Sequence, residues 1–285
     1  MTEKLIDLHA HTIHSDGSAT PSELIELAKL NGASAVAITD HDTISGLDEG
    51  RAKAAEVGLE FINGLELSAE YSPGTMHILG YYVDHHHQGL TEALEELRAA
   101  RAARNPEIAS RLQALGFDVS YAEVAAFAGN TVVGRPHFAR VMVNSGHAAS
   151  IQDAFDRFLA KGGLAYVEKK RLSPADSIAL IHKAGGVAVL AHPYQLKLAP
   201  EALETMLSEL VEMGLDGIEA IYSRHSPADR DRYAGMARRH GLLVTGGSDY
   251  HGTYKPDISI VKGLGDLAVP YALLGGLRSK SAYAR

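Results

Sequence analysis

Histidines beside carboxylates recur along this chain, in Asp7-Leu8-His9-Ala10-His11, Asp16, Thr39-Asp40-His41-Asp42, Glu66, His77, Ala191-His192-Pro193 and Ser248-Asp249-Tyr250-His251. His9 and His11 are two residues apart, a spacing that on extended backbone turns both imidazoles to one side, where both can bind one ion. Such a pair alone is a common accident of exposed strands. Its recurrence with strand-end acids has no structural explanation, because buried imidazoles and carboxylates at that density repel one another or stay unpaired unless cations compensate them. The chemistry indicated is divalent-cation binding and hydrolysis by an activated water. The chain has 15 histidines and no cysteine, so disulfides, thiolate ligands and cysteine nucleophiles are excluded and any metal must use nitrogen and oxygen donors.

Such residues need elements that bring them together. Short β-branched or apolar runs at Lys4–Leu8, Ala35–Thr39, Phe61–Leu67, His77–Val83, Val187–Ala191, Gly217–Ile221 and Leu242–Thr245 alternate with helical patterns, which is the rhythm of βα units. In a parallel barrel the strands deliver their C-terminal ends to one rim, so residues distant in sequence converge there. Thr20-Pro21-Ser22-Glu23 and Ser173-Pro174-Ala175-Asp176 read as capped helix starts, with Gly32 and Gly185 closing those helices. Between about Gly89 and Lys161 the strand signal gives way to consecutive helices over Leu90–Leu115, Tyr121–Phe127 and Ile151–Leu159. The predicted organisation is therefore a barrel-like domain from 1–88 and 162–285, interrupted by a helical insertion, 89–161, that contributes to the substrate pocket.

A chain of 285 residues with 46% hydrophobic and 22% charged residues suits one large α/β domain or a medium one carrying an insertion. The net charge of −8 argues against a basic surface for stable duplex nucleic-acid binding and leaves small anionic ligands open. No apolar run approaches the roughly 18 residues needed to span a bilayer, and the N-terminus leads directly into a strand-like segment, so neither export nor membrane insertion is expected and the expected location is cytoplasmic.

Taken in order, the histidine and carboxylate segments resemble those of the PHP (polymerase and histidinol phosphatase) family. They are most similar to its branch of small phosphoesterases acting on nucleotides, which includes nucleoside 3′,5′-bisphosphate phosphatases and enzymes that trim short RNA from the 5′ end. The resemblance implies an α/β fold, a distorted (β/α)7 barrel with a helical insertion, and three divalent cations, with manganese favoured over zinc or iron. His9, His11, Glu66 and Asp249 would bind the first ion. Glu66, His77 and His192 would bind the second, with Glu66 bridging, and Asp16, His41 and His251 the third. Asp7, Asp40 and Glu219 would orient ligating imidazoles or serve as structural strand-end acids. Catalysis would rest on Glu66 and Asp249 and on a metal-bridging hydroxide attacking phosphorus directly, without a phosphoenzyme.

Gly134-Arg135-Pro136-His137 matches a motif of the same branch. Arg135 would grip a phosphate while His137 hydrogen-bonds it or protonates the leaving oxygen; the alternative is an arginine capping a helix with a histidine packed beneath it. Arg101, Arg104 and Asn105 would clamp a second phosphate or else lie on a solvated helical face. Thr43 and His14 are further candidate substrate contacts. His85, His86 and His87 read as a solvated turn, and His147, His182, His225 and His240 as structural residues lacking suitably spaced acidic partners. The function expected is hydrolysis of the 3′-phosphate of nucleoside 3′,5′-bisphosphates, such as adenosine 3′,5′-bisphosphate, to the 5′-monophosphate. The alternatives are 5′-to-3′ exonuclease action on short RNA, histidinol-phosphate hydrolysis, or a non-catalytic accessory module.

Overall fold

Thr20 accepts the backbone N–H of Glu23 through its hydroxyl while the Glu23 carboxylate accepts the N–H of Thr20, so α1 (Pro21–Leu30) starts on a reciprocal cap with proline in its first turn. Beyond its end Gly32 takes a φ of +85°, which a side chain would resist. Ser173 caps α7 (Pro174–Lys183) by accepting the Asp176 N–H through its hydroxyl, which also donates to the Asp176 carboxylate, and Gly185 follows at φ +72°. The computed structural model describes residues 4–129, 133–168 and 170–284. They form two units, one built from residues up to Ala93 and from Arg171 onward, the other spanning Leu94–Lys170.

The first unit holds β1 (Leu5–Asp7), β2 (Ala33–Ile38), β3 (Glu60–Ala69), β4 (Met76–Tyr81), β5 (Val187–Leu190), β6 (Gly217–Tyr222) and β7 (Leu243–Gly247), hydrogen-bonded in that order into one nearly closed barrel. Outer helices α1, α2 (Leu47–Val57), α7, α8 (Pro200–Glu212), α9 (Pro227–His240) and α10 (Leu274–Lys280) accompany them. Both faces of β2 are buried, as in parallel strands covered by helices. Ala35 and Ala37 join a core cluster with Ile62, Leu79, Tyr81 and Val189, while Val36 and Ile38 pack with Leu24 and Ile25 of α1 and Leu47 of α2.

The barrel is not wholly parallel: β4 runs antiparallel to both β3 and β5. This corrects the expectation of a parallel barrel whose strands all deliver their C-terminal ends to one rim. His77 is the second residue of β4, and only because that strand is reversed does its beginning lie opposite Ser68, near the end of β3.

The second unit contains most of α3 (Gln88–Ala114), then α4 (Tyr121–Ala128), α5 (Arg135–Asn144), α6 (Ile151–Ala154) and a π-helical turn (Phe155–Leu159). It has its own core, with Ile108, Leu112, Val124, Phe138, Met142 and Phe158. The helix α5 enters the sequence reading only as the alternative in which Gly134-Arg135-Pro136-His137 begins a helix, and it is a helix from Arg135 to Asn144; the segment Ile151–Leu159 is helical but completes its last turn with π geometry.

β1 and β7 meet where the barrel closes, through Leu8 N–H to Gly246 O at 3.2 Å and Asp249 N–H to His9 O at 2.8 Å. A Cβ at Gly247 would lie 2.4 Å from both the Cβ and the backbone N of His9, so the close approach that places His9 requires glycine. Gly247→Ala is therefore expected to cost about 1–3 kcal/mol of stability, measured by urea unfolding, and to lower metal content along with it; wild-type stability would contradict this packing argument.

Candidate metal centre

Glu66 lies inside β3, anchored to the segment after β2: its N–H donates to Asp40 O at 3.2 Å and its carbonyl accepts Asp42 N–H at 3.0 Å. Its side chain is buried among imidazoles, and its two oxygens face different sets. Oε1 lies 2.8 Å from His77 Nδ1 and 2.9 Å from His192 Nε2. Oε2 lies 3.3 Å from Nε2 of both His9 and His11, and 3.1 Å from His41 Nδ1. Asp249 Oδ1 completes the side with His9 and His11, at 3.6 and 3.3 Å from their Nε2 atoms. Asp16, half exposed, lies 3.4 Å from His251 Nε2, 3.7 Å from His41 Nε2 and 3.7 Å from His11 Nδ1.

The donor atoms thus sort into clusters: His9, His11 and Asp249; His9, Glu66 and His192; His41, Glu66 and His77; and His11, Asp16, His41 and His251. All the metal-ligand candidates of the sequence reading are brought together in the first unit, with His9, His11, His41 and Glu66 shared between clusters. Donors bonded at about 2.1 Å to a common ion lie roughly 3.0–3.5 Å apart, a range that the contacts of Glu66 Oε2 with His9, His11 and His41, of Asp249 with His11 and of Asp16 with His251 fall in.

Neighbouring groups fix which nitrogen carries the lone pair. His9 Nδ1 donates to Glu219 Oε1 at 2.9 Å, which turns its Nε2 lone pair toward the cluster; His251 Nδ1 donates to Asp249 O at 2.9 Å, freeing its Nε2 likewise. His9 Nε2 and His11 Nε2 then stand 3.1 Å apart. Among the described residues, buried His41 Nδ1, Glu66 Oε2 and His192 Nδ1 make no hydrogen bond of good geometry. Buried polar atoms are rarely left so, and an electron-rich pocket of this kind fits divalent cations.

The three uncertain acids divide by what they touch. Glu219 orients His9 and, through Oε2, accepts the backbone N–H of His192 at 2.8 Å. Asp7 holds mainly backbone, accepting N–H groups of His9, Ser248 and Val261. Asp40 knits the following loop by accepting from Thr12 N–H, the Thr12 hydroxyl and the Ser15 hydroxyl at 2.8, 2.6 and 2.5 Å. His192, φ +23°, and Asp249, φ +57°, sit in backbone conformations that non-glycine residues seldom adopt, a strain typical of functional sites.

The candidate substrate contacts are placed as follows. Thr43 is half-buried, its hydroxyl 2.5 Å from that of Ser45, and His14 is half-buried with its N–H on the Thr12 hydroxyl. In the second unit Gly134 N–H donates to His137 Nδ1 at 3.0 Å, closing the start of α5, and Arg135 donates to Leu159 O at 3.0 Å while lying over the Tyr166 ring. Arg104 and Asn105 are buried and bonded to each other at 3.1 Å, so the solvated-face alternative fails for them; Arg101 is half-buried. His85 is also corrected: it is buried, accepting from Asn63 Nδ2 at 3.0 Å and donating to Asp48 at 2.8 Å. His182 and His240 have acidic partners after all, Asp216 at 2.7 Å and Glu204 at 2.6 Å, distant in sequence.

Sequence reading missed Tyr222 and Lys255. The Tyr222 hydroxyl and the Lys255 ammonium both donate to Asp249 Oδ2, each at 2.7 Å. A tyrosine ending a strand carries no local signal, and Lys255 stands four residues beyond His251 in an ordinary polar turn.

Electrostatics follow from this packing. Burial alone would raise Glu66 and Asp249, but His41, His77 and His9 around the first, and His251 and Lys255 beside the second, hold both well below the usual carboxylate range. Burial opposes charge on His11, yet its bonds to Asp249 and Glu66 lift it from 6.5 to about 9, and His9 is raised too by Glu219, Glu66 and Asp249. A histidine raised in the folded state stabilises it below the ordinary value and loses that contribution as pH rises through the folded value. Chelator-treated protein should therefore show a falling Tm between about pH 6.5 and 9, while Mn2+ affinity rises over the same window as the competing protons leave. A Tm and an affinity that both stay flat there would refute the assignment.

Comparison with known proteins places this geometry in context. A 3′,5′-nucleoside bisphosphate phosphatase of Chromobacterium violaceum is 35% identical over 86% of this chain and 87% of its own length. A 5′-3′ exoribonuclease of Haemophilus influenzae is 34% identical over 88% of this chain and 91% of its own. The crystal structure assigned as a metal-dependent phosphoesterase from Bifidobacterium adolescentis superposes with a TM-score of 0.82 at 33% identity, covering 98% of this chain and 97% of that one. The PHP domain model matches residues 7–158. With that match, these relatives and a buried histidine–carboxylate cluster in a seven-stranded barrel, the chain belongs to the PHP domain family and is a metal-dependent phosphoesterase.

Proposed function

We propose that the chain is a phosphomonoesterase that removes the 3′-phosphate of nucleoside 3′,5′-bisphosphates, using a trinuclear centre loaded with manganese. The observation that carries this reading is the division of Glu66, with Oε1 toward His77 and His192 and Oε2 toward His9 and His11. One carboxylate disposed in this way can serve two ions. Asp16, His41 and His251 offer a third set beside them. Divalent cations bound there would supply an acidified water and neutralise charge developing on the phosphoryl oxygens.

The chain's own residues do the positioning. Glu219 holds the His9 ring and the His192 backbone in one grip, so both imidazoles present fixed lone pairs. Tyr222 saturates one oxygen of Asp249 and leaves the other for the cluster. His9, His11 and Glu66 are buried while Asp16 is half exposed, which makes the Asp16 side the accessible one. The bisphosphate phosphatase of Chromobacterium violaceum supports the mononucleotide substrate, and the exoribonuclease of Haemophilus influenzae supports the alternative of short RNA. Both reactions break a bond at a 3′ oxygen.

Phosphate release from adenosine 3′,5′-bisphosphate, a 5′-monophosphate, histidinol phosphate and a short 5′-phosphorylated oligoribonucleotide tests the reading. The bisphosphate is expected to give the highest kcat/KM; preference for the oligoribonucleotide would assign the exonuclease instead, and preference for histidinol phosphate would overturn both. Glu66→Gln is expected to lower activity by about 100-fold or more and to reduce bound metal. Undiminished metal content in that variant would refute the bridging role.

A further inference from the structure

Asp249 carries one oxygen for the donor cluster and one turned away from it. Oδ1 faces His9, His11 and His251 at 3.3–3.6 Å. Oδ2 is saturated twice, by the Tyr222 hydroxyl and by the Lys255 ammonium, each at 2.7 Å. The two donors differ in kind. Tyr222 is neutral and buried at the end of β6, enough by itself to orient the carboxylate. Lys255 brings a full positive charge to a group that also faces a cation cluster, and like charges a few ångströms apart oppose each other's binding. For holding metal alone, the lysine is unfavourable.

Its placement suits a different task. The Lys255 side chain is 31% exposed against 3% for Asp249, so the ammonium reaches the carboxylate from the solvent side. It follows the short turn Gly252–Tyr254 that leads away from His251, on a flexible stem whose charge can be redirected. If the ammonium leaves Oδ2, Tyr222 still bonds that oxygen, and no buried carboxylate oxygen is orphaned.

We propose that Lys255 is a substrate-positioning cation, which turns from Asp249 to pair with the phosphoryl oxygens of the incoming ester while Tyr222 keeps Asp249 in place. The inference rests on the phosphoester reading of the same site. It names a recognition element for the anion that the metal ligands do not provide, and no covalent step is involved.

The test uses the full chain with Lys255→Met, Lys255→Arg and Tyr222→Phe, and measures Mn2+ affinity by competition, inorganic phosphate binding to the Mn2+-loaded protein by calorimetry, and steady-state kinetics. Lys255→Met is expected to bind Mn2+ as tightly as wild type or more tightly, yet to bind phosphate about 10–100-fold more weakly, with KM raised more than kcat is lowered. Lys255→Arg should recover most of the phosphate affinity, and Tyr222→Phe should weaken Mn2+ binding first. A parallel loss of Mn2+ affinity in Lys255→Met would reduce the lysine to a brace for Asp249 and overturn the proposal, as would unchanged phosphate binding. If Lys255→Met did not fold, Lys255→Gln would carry the same readouts. Phosphate binding is measured without turnover, so a wild-type protein inactive on every ester tested would sink the functional reading while leaving the lysine assignment to be judged separately.

Discussion

A buried carboxylate ringed by imidazoles is the constraint around which this barrel is arranged. Glu66 has almost no contact with water, and an uncompensated charge in such a position costs several kcal/mol. Its neighbours offer lone pairs as readily as protons, so hydrogen bonding alone cannot satisfy the group. The imidazoles around it hold it ionised, divalent cations bound among the same donors would compensate it further, and the surrounding structure keeps that arrangement in place. Glu219 fixes the tautomer of His9 and Asp249 O fixes that of His251. Asp40 and Asp7 tie down the loops that carry the donors.

The barrel supplies this arrangement through strand direction and close approach. Reversal of β4 brings His77 beside Glu66 from the start of its strand, where a parallel strand would have carried it to the opposite rim. Glycine at 247 lets β7 approach His9 closely enough for Asp249 N–H to reach His9 O. The strained backbones of His192 and Asp249 are held by hydrogen bonds of their own, His192 N–H to Glu219 and Asp249 N–H to His9 O with Asp249 O accepting from His251.

The second unit follows a separate logic. Its arginines and amides are engaged inside it: Arg135 with Leu159 O and the Tyr166 ring, Arg104 with Asn105, and Asn105 with Val133 O. His137 closes the start of α5 by accepting the Gly134 N–H.

Much of this molecule was legible from residue types and short spacings. The strand runs, the Thr20 and Ser173 caps, the stretch of helices in mid-chain and the His9–His11 pair are local features, and local periodicity and capping chemistry are written in neighbouring residues; the full donor set came from the resemblance to the PHP family. The solvated reading of His85 failed because burial depends on what packs above a turn, here Asn63 and Asp48. The extent of α5 was not read from the sequence because its polar start drew a motif reading that left the helix as an alternative. Which way β4 runs, which oxygen of Glu66 faces which histidines, and how Tyr222 and Lys255 share Asp249 were decided only in three dimensions. His9 and Glu219 are 210 residues apart, and His192 and Glu66 are 126 apart. No local pattern specifies such partners; they meet because the barrel must close and bury its apolar faces, and closure chooses them.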